Sequence, residues 1–337
     1  MSDTLRRDIY SLFLPIIPVL GIDSAARSFL DRGGISLLFG ETREEYVSRN
    51  IDPERAASET VERWQHTIAS ARAIAGPVLV AVDAEIGGIE RLHSLTQSLP
   101  TLEEAHSIPA VEIEKRSQLV AESARRLGVN VFLSPVADIL VGPNPWLEGR
   151  TLGNDVDEVA RIVGAYVKGV QDGGVAATVK HFPGHPTCEL DPAVHEGVVP
   201  QSMEELMALA LPFRVGINSG ADVVMMGPSI FQAITPPDAA SHSIELVQLL
   251  KTDFDFQGVV LTDDLDWKAT IRDMSIEQSA IRAVSAGADW MLVSAGGVPR
   301  IDSMVDAIES AAADGTLSAD RISASASKLR ALAKRLT

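Results

Sequence analysis

The sequence is poor in cysteine and in aromatic residues. Cys188 is the only cysteine among 337 residues, so an intrachain disulfide is excluded and nothing calls for an oxidising compartment. Aromatic residues make up 5% of the chain, which leaves few side chains for stacking on a ring-shaped ligand. Beyond the N-terminal region, no apolar run reaches the roughly 20 residues that cross a bilayer. We therefore expect a cytoplasmic protein.

Positive charge is scarce as well. Lysine and arginine total 29 against 46 aspartates and glutamates, which gives a formal net charge of −17. Such a balance repels phosphate backbones and anionic lipid surfaces, so we expect neither nucleic acid nor membrane as a partner. The hydrophobic residues, 46% of the chain, are sufficient for a large core. We expect a monomer or a weak homo-oligomer.

The N-terminal region has two interpretations. Two arginines at positions 6 and 7 precede an apolar run from Ile9 to Ile22, a pattern that loosely resembles a signal peptide. Asp8 follows the arginines, however, and Pro15 and Pro18 interrupt the run. We therefore predict a short helix followed by the first strand of the fold.

Short apolar runs alternate with longer amphipathic stretches along the whole chain. The runs are continuous rather than alternating, as expected of parallel strands buried on both faces. Eight such runs are present: Phe13–Leu20, Gly34–Phe39, Val78–Val82, Asn130–Val136, Ala176–Lys180, Asp222–Met226, Val259–Thr262 and Trp290–Val293. Helices are predicted at Pro53–Ala75, Glu112–Leu127, Asp155–Asp172, Ser202–Ser219, Ser243–Thr252, Ser275–Ala286, Ile301–Ala313 and Ser318–Leu336.

Eight strands that alternate with helices fit either a closed barrel or a doubly wound sheet. A dinucleotide-binding sheet would carry G-x-G-x-x-G after its first strand, and this sequence does not. No linker rich in proline, glycine or serine divides the chain. The sequence therefore predicts an α/β fold, a (β/α)₈ TIM-type barrel formed by residues 1–337 as a single domain. The active sites of such barrels lie at the carboxyl ends of the strands.

Polar residues follow several of the apolar runs and are candidates for that site. They are Asp83, Glu85 and Arg91 after the third run, Asp138 after the fourth, Lys180, His181, His185, Asp191 and His195 after the fifth, and Asp263, Asp264 and Asp266 after the seventh.

The three aspartates after the seventh run admit three interpretations. Asp263, at the tip of a strand, could be the nucleophile that a retaining glycosidase requires. The group could instead cap the N-terminus of the next helix, where aspartate is favoured. With His181, His185 and His195 it could also ligate a metal, but no ligand spacing typical of a metal site supports this. We predict no metal and no cofactor.

The cationic residues are ambiguous in the same way. Lys180 and His181 could hold the hydroxyl groups of a sugar, or they could be a buried ion pair and a buried, satisfied histidine. Asp83 could accept hydrogen bonds from two neighbouring hydroxyls or pair with Arg91, and Arg91 and Arg150 could be surface residues.

Trp146 and Trp267 are the best candidates for stacking on a sugar, with packing at the barrel rim as the alternative.

Four segments, in this order along the chain, resemble motifs of glycoside hydrolase family 3, most closely its one-domain β-N-acetylglucosaminidases. The resemblance extends from about Ile35 to about Val293. Val82-Asp83 followed by Gly87-Gly88 and Arg91 resembles V-D-x-E-G-G-x-x-x-R, and Asn144-Pro145 followed by Arg150, Gly153 and Asp155 resembles N-P-x-x-x-R-x-x-G-x-D. Lys180–His185 resembles K-H-F-P-G-H-G, and Gly258–Asp266 resembles G-V-V-x-T-D-D-L-x.

The resemblance implies a role for each motif residue. Asp263 would be the nucleophile, and the residues that bind the sugar would be Asp83, Arg91, Arg150, Lys180 and His181. In the acetylglucosaminidases, a histidine held by an aspartate in a D-S-H sequence is the acid/base. Here Asp191 stands at the expected distance from Lys180, but the histidine, His195, comes two positions late. His185 and Glu189 are alternative proton donors.

The expected function follows from these assignments. The resemblance implies a carbohydrate substrate and a retaining β-N-acetylhexosaminidase that releases terminal β-linked N-acetylglucosamine from chitooligosaccharides or cell-wall fragments. The reaction would pass through a covalent glycosyl-aspartate. The alternatives are a β-glucosidase or xylosidase, a phosphorylase of the same family, and a sugar-binding relative without catalytic activity.

Overall fold

The structure, a computed structural model, describes residues 3–48 and 50–337. In these residues, eight parallel strands lie in the order expected of a barrel: β1 Phe13–Pro15, β2 Ser36–Leu38, β3 Leu79–Val82, β4 Val131–Phe132, β5 Ala176–Phe182, β6 Val223–Met226, β7 Val259–Leu261 and β8 Met291–Val293. Strands β2 to β7 form one continuous parallel ladder, and β1 pairs with β8. Parallel bridges from Ile16 to Leu38 and from Leu261 to Trp290 join the two sheets. The predicted (β/α)₈ barrel is confirmed.

Helices surround the barrel. Their bounds are α1 Asp3–Ser11, α2 Ser24–Asp31, α3 Arg43–Ser48, α4 Pro53–Ser58, α5 Val61–Ala75, α6 Leu102–Ser107, α7 Ala110–Leu127, α8 Val156–Asp172, α9 Met203–Ala208, α10 Leu211–Asn218, α11 Ile244–Thr252, α12 Lys268–Ile271, α13 Ile276–Ala286, α14 Ile301–Ala313 and α15 Ala319–Leu336. At the N-terminus, α1 followed by β1 is the predicted helix and strand. Helix α7 ends at Gly128, which adopts a left-handed conformation (φ 99°) that costs glycine little.

Two of the predicted helices are interrupted. The stretch 53–75 breaks between α4 and α5, because Thr60 caps α5 by accepting a hydrogen bond from the amide of Arg63. The stretch 202–219 breaks between α9 and α10, because Pro212 has no N–H group with which to continue the helix. Ser202 and Glu205 form the capping box that starts α9.

The core lies inside the barrel and between the barrel and its helices. All residues of β1 to β8 are buried, which explains why their sequences are mostly apolar. The buried indole of Trp290, the residue before β8, donates a 3.0 Å hydrogen bond to the hydroxyl of Ser36 at the start of β2. Across residues 3–48 and 50–337, no helix combines the length and apolar character required to span a membrane.

Candidate active site

A cavity of about 450 Å³ opens at the carboxyl end of the barrel. This volume is in the range of small-molecule sites. Residues at or after each of the eight strands contribute to its wall: Ile16, Leu38, Gly40, Glu41, Thr42, Asp83, Leu133, Trp146, Arg150, Lys180, His181, Ala193, Val194, Met225, Asp263, Asp264, Trp267, Leu292, Ser294, Ala295 and Gly296. Five of the eight residues predicted for the site, Asp83, Arg150, Lys180, His181 and Asp263, are therefore brought together.

Asp263 lies at the wall of this cavity, two residues after the end of β7. Its amide donates to the carbonyl of Met226 at the end of β6, and its Oδ1 accepts a 2.8 Å hydrogen bond from the amide of Asp264. Burial raises the pKa of Asp263 to about 6, and the Asp264 amide and the charges of Lys180 and Arg150 oppose the rise. The carboxyl group is thus ionised at neutral pH and held in place by its backbone surroundings.

The capping interpretation of the aspartates does not hold for the helix that follows. Helix α12 begins at Lys268, its N-cap is Trp267, and the cap makes no side-chain hydrogen bond. Asp266 instead accepts a 2.6 Å hydrogen bond from the hydroxyl of Ser294, after β8. Among the described residues, no group of three His, Cys, Asp or Glu side chains is arranged to hold a metal ion.

Four charged side chains form a buried cluster at one side of the cavity. Lys180 Nζ lies 2.7 Å from Asp83 Oδ1 and 2.8 Å from Glu85 Oε1. Arg150 Nη2 lies 2.7 Å from the same Oε1 of Glu85. Burial lowers the pKa of Lys180, but the two carboxylates outweigh it and raise the pKa above its ordinary value. Lys180 therefore stays charged, and it is ion-paired while also lining the cavity.

His181 is neutral and is oriented by Asp138. Its Nδ1 lies 2.8 Å from Asp138 Oδ2, and its amide donates to the same oxygen. Burial lowers the pKa of His181 to about 3, despite the opposing effect of Asp138. The Nδ1–H group therefore donates to Asp138, which leaves Nε2 as an acceptor. The other oxygen of Asp138 accepts from the amide of His185 and lies 3.1 Å from its Nδ1.

Trp146 and Trp267 form an aromatic part of the wall. Their ring centroids are 5.8 Å apart and the rings are edge to face. Trp146 also packs on His181, at 4.6 Å between centroids. The two indoles thus lie beside the polar groups at the cavity, where a sugar ring could stack, and their role in binding stays a prediction.

Arg91 lies behind the wall, contrary to the direct sugar contact expected of it. It is 1% exposed, and its guanidinium group binds Glu59, with Nη2 2.8 Å from Oε1. Its Nε donates to the carbonyl of Gly40 at 3.3 Å. Arg91 is absent from the described residues that line the cavity, and its guanidinium group is held by Glu59 and by the carbonyl of Gly40.

The loop after β5 contributes small aliphatic residues to the cavity wall. The amide of His195 donates to the carbonyl of Asp191, and the amide of Ala193 donates to Asp191 Oδ1, so residues 191–195 form a compact turn. Ala193 and Val194 line the cavity, whereas the side chain of His195 is exposed. All three candidate proton donors are among the described residues, and none of them lines the cavity. His195 and Glu189 are exposed, and His185 is fully buried.

Glu41 is a wall residue that sequence reasoning missed. It follows β2 by three residues, and burial together with the charge of Asp83 raises its pKa to about 8. The rule that found the other candidates, a polar residue just after an apolar run, applies to Glu41 after Gly34–Phe39 as well. That rule alone would have identified it.

A cavity lined by carboxylates at the carboxyl end of a parallel eight-stranded barrel defines a TIM-barrel enzyme whose ligand meets the loops after the strands. The chain belongs to glycoside hydrolase family 3: the model of the glycosyl hydrolase family 3 N-terminal domain matches residues 4–332.

Known proteins similar to the chain agree with this family. A β-hexosaminidase of Stenotrophomonas maltophilia strain K279a is 33% identical over 64% of this chain and 67% of its own length. The structure of a family 3 β-N-acetylglucosaminidase from Paenibacillus sp. FPU-7 matches 98% of this chain with a TM-score of 0.87 and 30% identity, and this chain spans 62% of its length. A β-N-acetylhexosaminidase structure from Beutenbergia cavernae shares the fold over 99% of both chains, with a TM-score of 0.85 at 23% identity.

Proposed function

We propose that the protein is a retaining β-N-acetylhexosaminidase that releases terminal β-linked N-acetylglucosamine. The observation that carries the proposal is Asp263, a buried carboxylate at the cavity wall, close enough to Lys180 and Arg150 to respond to their charges. The names of the similar proteins, a β-hexosaminidase and a β-N-acetylglucosaminidase, support the sugar. Chitooligosaccharides or cell-wall fragments are the proposed substrates.

In the proposed reaction, an oxygen of Asp263 attacks the anomeric carbon and the bond from that carbon to the leaving oxygen breaks. A proton passes to the leaving oxygen, and a glycosyl ester of Asp263 remains. Water then attacks the same carbon, loses a proton to the base and releases the sugar and the carboxylate. Two inversions at the anomeric carbon retain its configuration.

We assign the proton transfers to His195, held by Asp191. This assignment requires the turn 191–195 to rearrange, so that the imidazole replaces Ala193 or Val194 at the cavity. Asp83, Arg150, Lys180 and His181 would bind the sugar, because all four line the cavity and carry donors or acceptors suited to hydroxyl groups. Arg91 would support them from behind, through its hydrogen bond to the carbonyl of Gly40.

A panel of 4-nitrophenyl β-glycosides tests the function. It contains the N-acetylglucosaminide, N-acetylgalactosaminide, glucoside and xyloside, each assayed with and without phosphate. We expect the highest kcat/KM with the N-acetylglucosaminide and no dependence on phosphate. Asp263→Asn, purified identically, controls for contaminating glycosidases. A preference for the glucoside or xyloside, turnover that requires phosphate, or no turnover at all would overturn the proposal. We also propose a cytoplasmic location, which the single cysteine supports.

A further inference from the structure

Glu41 is held at the cavity by the backbone before it. Strands β2 and β3 pair in parallel, with Leu38 opposite Ala81, so the chain beyond β2 runs beside the chain that leads to Asp83. The carbonyl of Gly40 accepts hydrogen bonds from Arg91 Nε at 3.3 Å and Arg55 Nη2 at 2.9 Å. These two guanidinium groups anchor the backbone immediately before Glu41.

Glu41 is a partly exposed residue of the cavity wall, and one of its carboxyl oxygens is unpaired among the described residues. Its Oε1 is buried and has no hydrogen-bond partner among the described residues, although the residue lines the cavity. An unpaired buried polar atom is unfavourable, so a carboxyl group that carries one and also lines a cavity can gain a partner when a ligand binds. Glu41 and Asp263 line the same cavity, so one ligand could contact both.

The barrel places Glu41 on the side of the cavity away from Asp263. In an eight-stranded barrel, β3 lies across from β7, and β2 is next to β3. Asp263 follows β7, whereas Asp83 follows β3 and Glu41 follows β2. In a pyranose ring, the atom opposite the anomeric carbon is carbon 4. A ring whose anomeric carbon meets Asp263 therefore turns carbon 4 towards Glu41 and Asp83.

We propose that Glu41 is a specificity-determining residue that donates a hydrogen bond from its carboxylic acid to the hydroxyl group at carbon 4 of the terminal sugar, beside the carboxylate of Asp83. The donor and the acceptor together would fit a free hydroxyl, which both accepts and donates. A sugar extended at this oxygen would lack the hydroxyl proton that Asp83 accepts, and the added residue would meet the cavity wall. The site would therefore act on chain ends only. This inference rests on the proposed function for the position of the anomeric carbon.

The charges around Glu41 favour the acid form. Burial and the negative charge of Asp83 raise the pKa of Glu41 to about 8, against the positive charges of Arg91 and Arg55. Glu41 is thus protonated at neutral pH and can donate. Above about pH 8 it loses the proton and becomes an anion beside Asp83, so sugar binding weakens as the pH rises.

A cycle of two enzyme forms and two substrates tests the contact. The substrates are 4-nitrophenyl N-acetyl-β-glucosaminide and its 4-deoxy analogue. We expect Glu41→Ala to lower kcat/KM about tenfold or more with the first and by less than about twofold with the second, because the contact is already absent. Equal losses with both substrates, or no loss with either, would overturn the proposal. Glu44→Ala, an exposed carboxyl group on α3, is the control and should leave both values unchanged.

Conservative substitution and pH separate binding from a structural role. The amide of Glu41→Gln restores a donor of the same size, so it should recover most of the affinity that Glu41→Ala loses. The affinity of the wild type for N-acetylglucosamine should fall above about pH 8, and Glu41→Gln should not share this alkaline decline; binding is measured because loss of the proton from the acid/base also lowers kcat/KM. If Glu41 were instead the proton donor to the leaving group, the loss in Glu41→Ala would grow with the pKa of the leaving phenol and azide would restore activity. Either result would contradict a contact at carbon 4.

Binding of the free sugar distinguishes failure of this inference from failure of the proposed function. Calorimetry with N-acetylglucosamine and with its 4-deoxy form needs no turnover. If the wild type binds N-acetylglucosamine without hydrolysing its aryl glycoside, the proposed function fails, while a Kd raised about tenfold in Glu41→Ala still supports Glu41. If binding is equal in both proteins, or is absent in the wild type, the inference on Glu41 is wrong.

Discussion

The backbone amide of Asp264 donates a 2.8 Å hydrogen bond to Oδ1 of Asp263. Because the amide of Asp263 is itself bound to the carbonyl of Met226, the ends of β6 and β7 together fix the position of this carboxyl group. A nucleophile that is oriented before the substrate arrives needs no reorganisation in the reaction. The same contact also favours the ionised form, which is the form that would attack in the proposed reaction.

Removing the charge of Asp263 should abolish turnover. Asp263→Asn keeps the shape and an acceptor for the Asp264 amide but is a poor nucleophile, so kcat should fall about 10³–10⁵-fold. Steady-state kinetics with 4-nitrophenyl N-acetyl-β-glucosaminide measure this effect. Asp266→Asn makes the same chemical change three residues later, at a carboxyl group bound to Ser294, and should cost less than about tenfold. Near-normal turnover in Asp263→Asn would exclude it as the nucleophile.

The acid side of the pH profile should report the ionisation of Asp263. With a pKa of about 6, the carboxyl group is protonated and inactive at lower pH, so kcat/KM should rise through about pH 6. The positive charge of Lys180 lowers this pKa. In Lys180→Gln the midpoint should therefore move to higher pH. A midpoint that stays in place, or that moves to lower pH, would show that another group controls the acid side.

The effect of removing His195 should depend on the leaving group. A proton donor matters most when the leaving oxygen is basic, so His195→Ala should lose about 10²–10⁴-fold with a phenyl glycoside and much less with a dinitrophenyl glycoside. Rates across a series of aryl N-acetyl-β-glucosaminides measure this dependence. Equal activity of His195→Ala and wild type on every member would remove His195 from the mechanism and leave the turn 191–195 without a catalytic side chain.

Removing Glu85 should lower the free energy of unfolding. Glu85→Ala leaves Lys180 and Arg150 buried with one carboxylate between them, and removing one partner of a buried ion pair costs about 3–5 kcal/mol. Denaturant unfolding measures the change in the free energy of unfolding. Glu114→Ala removes one partner of an exposed pair with Lys168 and should leave the free energy of unfolding nearly unchanged. Similar losses in the two variants would mean that the cluster is not buried as described.

The barrel could be predicted from the sequence because its strands are buried on both faces. Runs such as Val259–Thr262 are continuously apolar, and their number and alternation with helices fix the fold class. The cavity residues Asp83, Lys180 and Asp263 could be predicted because each stands at the end of such a run or directly after it. At these positions the place of a residue at the end of a strand is sufficient to predict that it lines the cavity.

The remaining features depend on contacts between distant residues. Arg91 is absent from the cavity wall and pairs with Glu59, 32 positions earlier, in a stretch predicted as the interior of a helix. The orientation of His195 depends on how the turn from Asp191 closes, which spacing alone does not determine. Asp138 was identified only as a residue at a strand end, and its role in orienting His181 and His185 becomes visible when β4 and β5 pair.

The measurement that tests the central claim most directly is trapping of the glycosyl-enzyme. A fluorinated N-acetylglucosaminide analogue that forms the ester quickly and loses it slowly is incubated with the wild type, and peptides are mapped by mass spectrometry. We expect one sugar per chain, attached to Asp263, and no label in Asp263→Asn. A label on any other residue, or full turnover of the analogue with no covalent adduct at any time, would contradict the assignment.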